Sequence, residues 1–155
     1  DFGAIYDGFH GDAAMTVGVG KLDAMAVELM AATEDALKAG IDAARAGARL
    51  GDVSHSIQCC AESRGFAVIR EYTGHGIGRE MHEDPRIRNF GTAGQGTLLK
   101  KGMTFALEPM VCTGDWRTKV ASNQWTVSTI DGSLAAHFEH SIAITDGAAR
   151  LLTAL

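Results

Sequence analysis

The sequence predicts an α+β fold in which a mixed, mostly antiparallel sheet is covered by helices, and three observations support this class. An Asp7-Gly8 pair separates two short apolar runs at the start of the chain. A stretch rich in alanine, leucine and methionine covers 22–46, and a second helical stretch begins at Asp52. Short stretches with alternating apolar side chains follow in the second half, as is typical of strands. We expect residues 1–155 to form one domain.

The first predicted element is a β-hairpin, because an Asp-Gly pair between apolar runs favours a two-residue turn. Such a turn at Asp7 and Gly8 places Gly3 opposite Asp12. Side chains alternate along a strand, so Asp1 and Asp12 become diagonal neighbours on one face, roughly 7–8 Å apart at the backbone. Two carboxylates can converge on a cation from there, although aspartate is also common near turns without such a role.

Two helices are predicted next. The first covers 22–46, and the second begins with Asp52 as its N-cap and ends near Gly65. Methionine and alanine at helical spacing indicate core packing in the first helix rather than a cofactor site. The residues expected on that face are Val27, Met30, Ala31, Glu34 and Leu37.

A glycine-rich segment carries His75 and His82, and it follows an apolar strand predicted at 66–69. A single histidine is more often structural, but two histidines in such a loop favour a functional site. The spacing of the glycines is similar to that of a phosphate-binding loop, yet the third glycine of a dinucleotide motif is missing and no helix follows. The sequence therefore argues against phosphate binding here.

Two glutamates lie in predicted strands of the second half. Alternation within 103–111 puts Glu108 on the same face as Ala106, and alternation within 136–144 puts Glu139 on the same face as Ser141. Small neighbours leave space for a pocket beside each carboxylate. A single glutamate in a strand more often lies on an exposed face or an edge, so neither residue indicates a site alone.

Taken together, these residues predict a metal centre. Four carboxylates and one imidazole suit two divalent cations, and without cations such carboxylates would repel one another and stay protonated. The set admits Mn²⁺, Fe²⁺, Co²⁺ or Zn²⁺, and two such cations supply the chemistry to hydrolyse an amide. The five expected metal ligands are Asp1, Asp12, His75, Glu108 and Glu139.

Composition excludes several classes of protein. The net charge is −5, which argues against a general nucleic-acid or anionic-membrane surface. The sequence has no apolar run of about eighteen residues, so we expect no membrane span. The three cysteines, Cys59, Cys60 and Cys112, make a poor disulfide framework and favour a reducing, cytoplasmic setting.

The order of motifs resembles that of type I methionine aminopeptidases, which are dinuclear metalloenzymes of the pita-bread fold. The resemblance covers essentially the whole chain, and it implies that 1–155 form a single catalytic metallopeptidase domain. That family has a further N-terminal part before the first metal ligand, which this sequence lacks, so we expect an incomplete methionine pocket. The segments that carry the resemblance are DFGAIYDGFHGD, EYTGHGIGREMHEDP, KKGMTFALEPMV, WTVST and HFEHSIAIT.

The resemblance also implies roles for the metal ligands. Asp1 would chelate one metal ion, Asp12 and Glu139 would bridge both ions, and His75 and Glu108 would complete the shell of the other. Glu108 is further expected to accept the proton of the attacking water and pass it to the leaving amine.

Two more residues are expected to contact substrate. His82 is similar to a histidine of the family that lies near the scissile carbonyl, and Trp125 matches an aromatic residue beside the methionine pocket. The implied partners are peptides with an N-terminal methionine, including nascent chains at the ribosome. The implied reaction is removal of that methionine by a monomeric enzyme.

Other interpretations stay open. Prolidases and Xaa-Pro aminopeptidases share the ligands but differ in the surrounding motifs, and type II methionine aminopeptidases carry an insert for which this chain has no room. Relatives that have lost metal ligands act as binding modules. An inactive fragment is a further alternative.

Overall fold

The structure is a computed structural model that describes residues 1–154. It contains two helices, α1 (Ala24–Ala43) and α2 (Leu50–Glu62). Within these residues neither helix combines the length and the apolar character that crossing a bilayer requires. The strands in chain order are β1 (Phe2–Tyr6), β2 (Phe9–Ala14), β3 (Ala67–Val68), β4 (Gly74–Gly76), β5 (Glu83–Ile87), β6 (Thr104–Leu107), β7 (Met110–Cys112), β8 (Thr118–Val120), β9 (Val127–Thr129), β10 (Ala135–His137), β11 (Glu139–Ala143) and β12 (Arg150–Leu151).

The strands form one large sheet and two small ones. Six strands of the large sheet follow the order β1-β2-β11-β6-β4-β5, and β12 also pairs with β11. A three-stranded sheet has the order β10-β7-β3, and β8 pairs with β9. The pairings among the described strands are antiparallel, in agreement with the predicted α+β class.

The predicted hairpin is confirmed. Gly3 pairs with Asp12 across β1 and β2, and Tyr6 pairs with Phe9. Both turn residues have positive φ, 50° at Asp7 and 76° at Gly8, which is the backbone that a tight primed turn requires. The turn therefore fixes the register that directs Asp12 towards the interior, where it is buried.

Helix α1 is shorter than predicted, and its expected buried face is confirmed at Leu37 and in part at Met30, which packs against the core, but is wrong at the other positions. Val27 is 53% exposed. The misassignment arises because small residues occur all round the helix, so hydrophobicity alone does not distinguish the faces. Gly40 marks the true contact, since a Cβ there would clash with Ile57 of α2. The buried residues of α1 are Leu29, Ala32, Thr33, Ala36, Leu37 and Gly40.

Helix α2 begins before the predicted cap. Arg49 is the N-cap, and Asp52 lies three residues further on, within the first turn. From there the Asp52 carboxylate accepts hydrogen bonds from the backbone N–H groups of Arg49, at 2.7 Å, and Gly94, at 2.6 Å. The prediction of Asp52 as N-cap is wrong because Asp52 is the third residue of the helix. From that position its carboxylate accepts the backbone N–H of the N-cap residue, Arg49.

The hydrophobic core lies between the helices and the sheets. Helix α1 packs on α2 and against strands β6, β7, β10 and β11, whereas α2 packs on β3. Phe105, Leu107 and Ile142 are among the core residues that the central strands contribute. Because the helices cover one side of these strands, the sheet is a fixed support for the side chains on its other side.

Candidate metal centre

Four neighbouring strands of the large sheet carry the candidate ligands. In sheet order, Asp12 lies on β2, Glu139 begins β11, Glu108 directly follows β6, and His75 lies on β4. The register pairs Glu139 with Ala14 and His75 with Ala106. Residues far apart in sequence are thus brought side by side by the antiparallel pairing.

Three of these residues form a tight buried cluster. Asp12, His75 and Glu139 each offer a ligand atom, and the three atoms lie within 4.8 Å of one another. All three side chains are buried. Two carboxylate oxygens and an imidazole nitrogen at such separations make a donor set suited to a divalent cation.

Glu108 adjoins this cluster through the histidine. Its Oε1 atom lies 3.4 Å from Nε2 of His75, and the same nitrogen lies 3.9 Å from Oδ2 of Asp12. The side chain of Glu108 is only 15% exposed. The imidazole therefore faces two carboxylates within one pocket.

Hydrogen bonds around the cluster fix its orientation. Nδ1 of His75 lies 2.9 Å from the carbonyl oxygen of Gly76, so a proton on Nδ1 leaves the lone pair of Nε2 directed at the carboxylates. The hydroxyl of buried Ser141 accepts from the N–H of Asp12 and donates to its carbonyl, both at 2.9 Å. The amide of Asn89 donates to the carbonyl of Glu108 at 3.0 Å.

Burial and close contact shift the pKa values of these groups. Burial, followed by repulsion from Asp12, raises the pKa of Glu108 to about 8. Burial, followed by repulsion from Glu108 and Asp12, raises the pKa of Glu139 to about 8. Burial also lowers the pKa of His75. A bound cation would relieve each of these effects, because it stabilises carboxylate anions and a neutral imidazole.

Unpaired polar atoms support the same interpretation. Within residues 1–154, Oδ1 of Asp12, Oε1 of Glu139 and Nε2 of His137 are buried and have no hydrogen-bond partner. Leaving such atoms unpaired costs roughly 1–3 kcal/mol each, more for charged groups. The residues present therefore fit a bound divalent cation, which would satisfy the two carboxylate oxygens by coordination.

Asp1 and Trp125 lie outside the tight cluster. Asp1 is exposed and precedes β1, and Trp125 is 85% exposed. Both line a cavity of about 590 Å³ together with Glu108 and Tyr72, which we call the Trp125 cavity. The structure thus brings these two predicted residues to the edge of the centre.

His82 lies next to the cluster, beside His75. Its exposed ring is centred 4.4 Å from the ring of His75, and both line a cavity of about 830 Å³, the His82 cavity. Tyr72 lines this cavity and the Trp125 cavity as well. The cluster therefore adjoins two openings, since His75 lines the first cavity and Glu108 lines the second.

One residue of the site was missed by the sequence interpretation. Nε2 of His137 lies 3.7 Å from Oε2 of Glu108 and 4.0 Å from Oε2 of Glu139. Burial lowers the pKa of its imidazole. Strand alternation could have identified this residue, since His137 precedes Glu139 by two positions and is therefore expected on the same face.

Comparison with known proteins agrees with this geometry. The model of metallopeptidase family M24 matches residues 1–146. The methionine aminopeptidase of Clostridium acetobutylicum is 49% identical over 153 residues, which cover 99% of this chain and 61% of that protein. Methionine aminopeptidase 1 of Bacillus subtilis is 45% identical, with 99% and 62% covered. The chain spans about three fifths of the length of these curated relatives.

Solved structures extend the comparison to the fold. The methionine aminopeptidase of Thermotoga maritima superposes with a TM-score of 0.97 at 54% identity, covering 99% of this chain and 61% of that one. The prolidase of Pyrococcus furiosus gives 0.77 at 25% identity, with 99% and 40% covered. The pita-bread fold and the resemblance to methionine aminopeptidases are thereby confirmed. With a family match over most of its length, the chain belongs to metallopeptidase family M24.

Proposed function

We propose that this chain carries the catalytic residues of an aminopeptidase that removes the N-terminal methionine from peptides and nascent proteins. The observation that supports this most strongly is the buried cluster of Asp12, His75 and Glu139 beside Glu108. It occurs in a chain 49% identical to a methionine aminopeptidase. The activity, its substrates and its partners are proposed for the whole protein, because this chain spans about three fifths of the length of these relatives.

We propose that the site would hold two divalent cations of the Co²⁺, Mn²⁺, Fe²⁺ or Zn²⁺ type. Asp12 and Glu139 supply the two carboxylates of the tight cluster, and both would hold the cations. His75 and Glu108 face each other at 3.4 Å, which suits ligands of one ion. Asp1, which lines the adjoining Trp125 cavity, is proposed to ligate the other ion.

When bound, two such cations supply Lewis acidity and lower the pKa of an attacking water. Glu108 is proposed to receive a proton at Oε2, the oxygen that faces His137, and to deliver it to the leaving amine. This residue is well placed for such a transfer because it lies at the wall of the Trp125 cavity rather than at the centre of the cluster.

The two openings have different proposed tasks. In the His82 cavity, the exposed imidazole of His82 is proposed to donate a hydrogen bond to the carbonyl oxygen of the scissile peptide. In the Trp125 cavity, the indole of Trp125 is proposed to contact the methionine side chain. Ile69 and Met110 give this second cavity further apolar surface.

Further proposals concern the cellular setting. We propose one catalytic domain over 1–155, acting as a monomer on nascent chains at the ribosome. A single hydrophobic cluster that joins both helices to the sheets supports one domain over the described residues. The free thiols of Cys59, Cys60 and Cys112 support a reducing, cytoplasmic compartment.

The test is release of methionine from Met-Ala-Ser after the chain is loaded with Mn²⁺ or Co²⁺. We expect release by the loaded chain and none by the Glu139→Ala variant. Cleavage of Xaa-Pro peptides in its place would favour a prolidase, which is less well supported because the prolidase match has the lower TM-score, 0.77 against 0.97. No cleavage of either peptide would indicate an inactive fragment.

A further inference from the structure

Three exposed arginines lie near the metal centre without acidic partners. Arg70, Arg86 and Arg88 are exposed, whereas the arginine ion pairs found within residues 1–154 involve only Arg64 and Arg117. The chain as a whole has a net charge of −5, so carboxylates are plentiful on its surface. A cluster of unpaired guanidinium groups on an acidic protein is a local site for anions.

Aromatic rings hold two of these arginines in place. The guanidinium of Arg70 lies 5.2 Å from the ring centre of Phe90 and 5.1 Å from that of Trp116. The guanidinium of Arg88 lies 5.8 Å from the ring of Phe90. Stacking of this kind orients the planar group while its N–H donors stay free for a ligand.

The third arginine connects this cluster to the metal centre. Arg86 pairs with His75 across β5 and β4, so the two side chains share one face of the sheet. Arg88 follows on the same face, because the buried Ile87 lies between Arg86 and Arg88.

The three arginines line a groove of about 670 Å³, which we call the arginine groove. Arg86, Glu71 and Thr73 also line the His82 cavity, so the two spaces adjoin.

We propose that the arginine groove binds acidic side chains of the substrate polypeptide, on residues that follow the scissile bond. This inference rests on the proposed function, which places the scissile bond beside His75 and His82. A guanidinium binds a carboxylate through two parallel hydrogen bonds, and the three groups provide several such contacts. Substrates with acidic residues after the first peptide bond would therefore bind in preference to neutral ones.

The charge pattern favours a peptide over a nucleic acid. The adjoining His82 cavity is also lined by Glu71, Glu80, Glu83 and Asp84. A continuous phosphodiester backbone would meet these carboxylates and be repelled. A peptide can place one or two acidic side chains on the arginines and neutral backbone elsewhere.

The test compares two fluorescein-labelled peptides by fluorescence anisotropy with the metal-free 155-residue chain. One is Met-Ala-Asp-Glu-Asp-Gly, and the other is its amide counterpart Met-Ala-Asn-Gln-Asn-Gly. We expect about tenfold tighter binding of the acidic peptide at low salt, and a smaller preference at high salt because ions screen exposed charges.

Variants test whether the preference for the acidic peptide depends on the arginine groove. The double variant Arg86→Glu, Arg88→Glu should abolish the preference, and Arg86→Gln, Arg88→Gln should reduce it with less risk to folding. Arg45→Glu is the matched control, because Arg45 is exposed and lies outside the groove. A preference that persists in both double variants, or equal binding of the two peptides by the unaltered chain, would overturn the inference.

Two further outcomes separate the alternatives. Tighter binding of a short oligouridine than of the acidic peptide would overturn the choice of a peptide as the occupant. Methionine release from the neutral peptide by the metal-loaded chain tests the proposed function separately. Release without a preference for acidic peptides contradicts only this inference, whereas a preference without release supports it and contradicts only the proposed function.

Discussion

The imidazole of His75 and the carboxylate of Glu108 face each other across neighbouring strands, with Nε2 3.4 Å from Oε1. Burial lowers the pKa of the first group and raises that of the second to about 8, so both favour their neutral forms without a cation. Glu139 has the same raised value. This arrangement favours cation binding at a cost to the stability of the metal-free chain.

Replacement of Glu139 separates the effect on cation binding from the effect on the stability of the metal-free chain. Glu139→Gln removes a buried carboxylate that Glu108 and Asp12 repel, so the metal-free variant should unfold at higher denaturant concentration at about pH 8. We expect a gain of about 1 kcal/mol, together with much weaker Mn²⁺ binding by calorimetry. Glu62→Gln, at an exposed position that ends helix α2, is the control and should change neither quantity. Loss of stability with unchanged Mn²⁺ affinity would contradict the assignment.

Stability should depend on pH with a definite sign. For Glu108 and Glu139 the pKa is about 8 in the folded chain and 4.5 ordinarily. The unfolded chain therefore loses these protons first as the pH rises. The contribution of the two protonated carboxyl groups to the free energy of unfolding is present in full below about pH 4.5. It falls between about pH 4.5 and about pH 8 and is then lost. Urea unfolding of the metal-free chain should follow this decline, and saturating Mn²⁺ should reduce it. A rise in stability over that window would be inconsistent with the raised pKa values.

His82 should affect turnover without affecting metal content. Its ring adjoins His75 but is exposed at the cavity rim, so His82→Ala should keep the metal stoichiometry. Turnover of a methionyl peptide should fall by about 10²-fold, the usual cost of losing one hydrogen bond to a developing oxyanion. His55→Ala, on the surface of α2, serves as the control. Equal loss of metal and activity would refute this division of roles.

His137 should tune the metal affinity. Its Nε2 atom lies within 4.0 Å of carboxylate oxygens on both Glu108 and Glu139. His137→Ala removes that contact and should weaken Mn²⁺ binding by roughly tenfold, as for other groups that orient ligands. His137→Gln, which keeps an N–H donor, should recover part of the affinity. Identical affinities for the three proteins would exclude this role.

Ser141 should contribute to stability through the backbone of Asp12. Its buried hydroxyl both accepts from and donates to Asp12, so Ser141→Ala leaves two buried backbone groups without partners. The expected loss is about 1–3 kcal/mol in urea unfolding. Ser128→Ala, in an exposed strand position, should change stability by less than about 0.5 kcal/mol. Equal effects of the two substitutions would argue against the hydrogen-bonded support of Asp12.

The sequence was most informative where local chemistry decides the structure. The turn at Asp7 and Gly8 determined the hairpin register, and with it the inward direction of Asp12. It was least informative where tertiary contacts decide. The buried face of α1 depends on the approach of Ile57 to Gly40, which no hydrophobic pattern reveals.

The same distinction applies to the site. Asp12, His75, Glu108 and Glu139 were predicted from motifs, and the structure brings all four together. His137 was overlooked because its significance depends on the distances to Glu108 and Glu139 across strands. The arginine groove likewise depends on tertiary structure, since Arg70 is distant in sequence from Arg86 and Arg88.

We propose above all that side chains distant in sequence form one pocket for a pair of cations. The most direct measurement is the number of Mn²⁺ or Co²⁺ ions bound per chain, determined by metal analysis after equilibrium dialysis of the purified, demetallated protein. We expect two ions per chain, which should be lost on substitution of Asp12 or Glu139. Saturation at one ion or fewer, or binding that is insensitive to those substitutions, would contradict it.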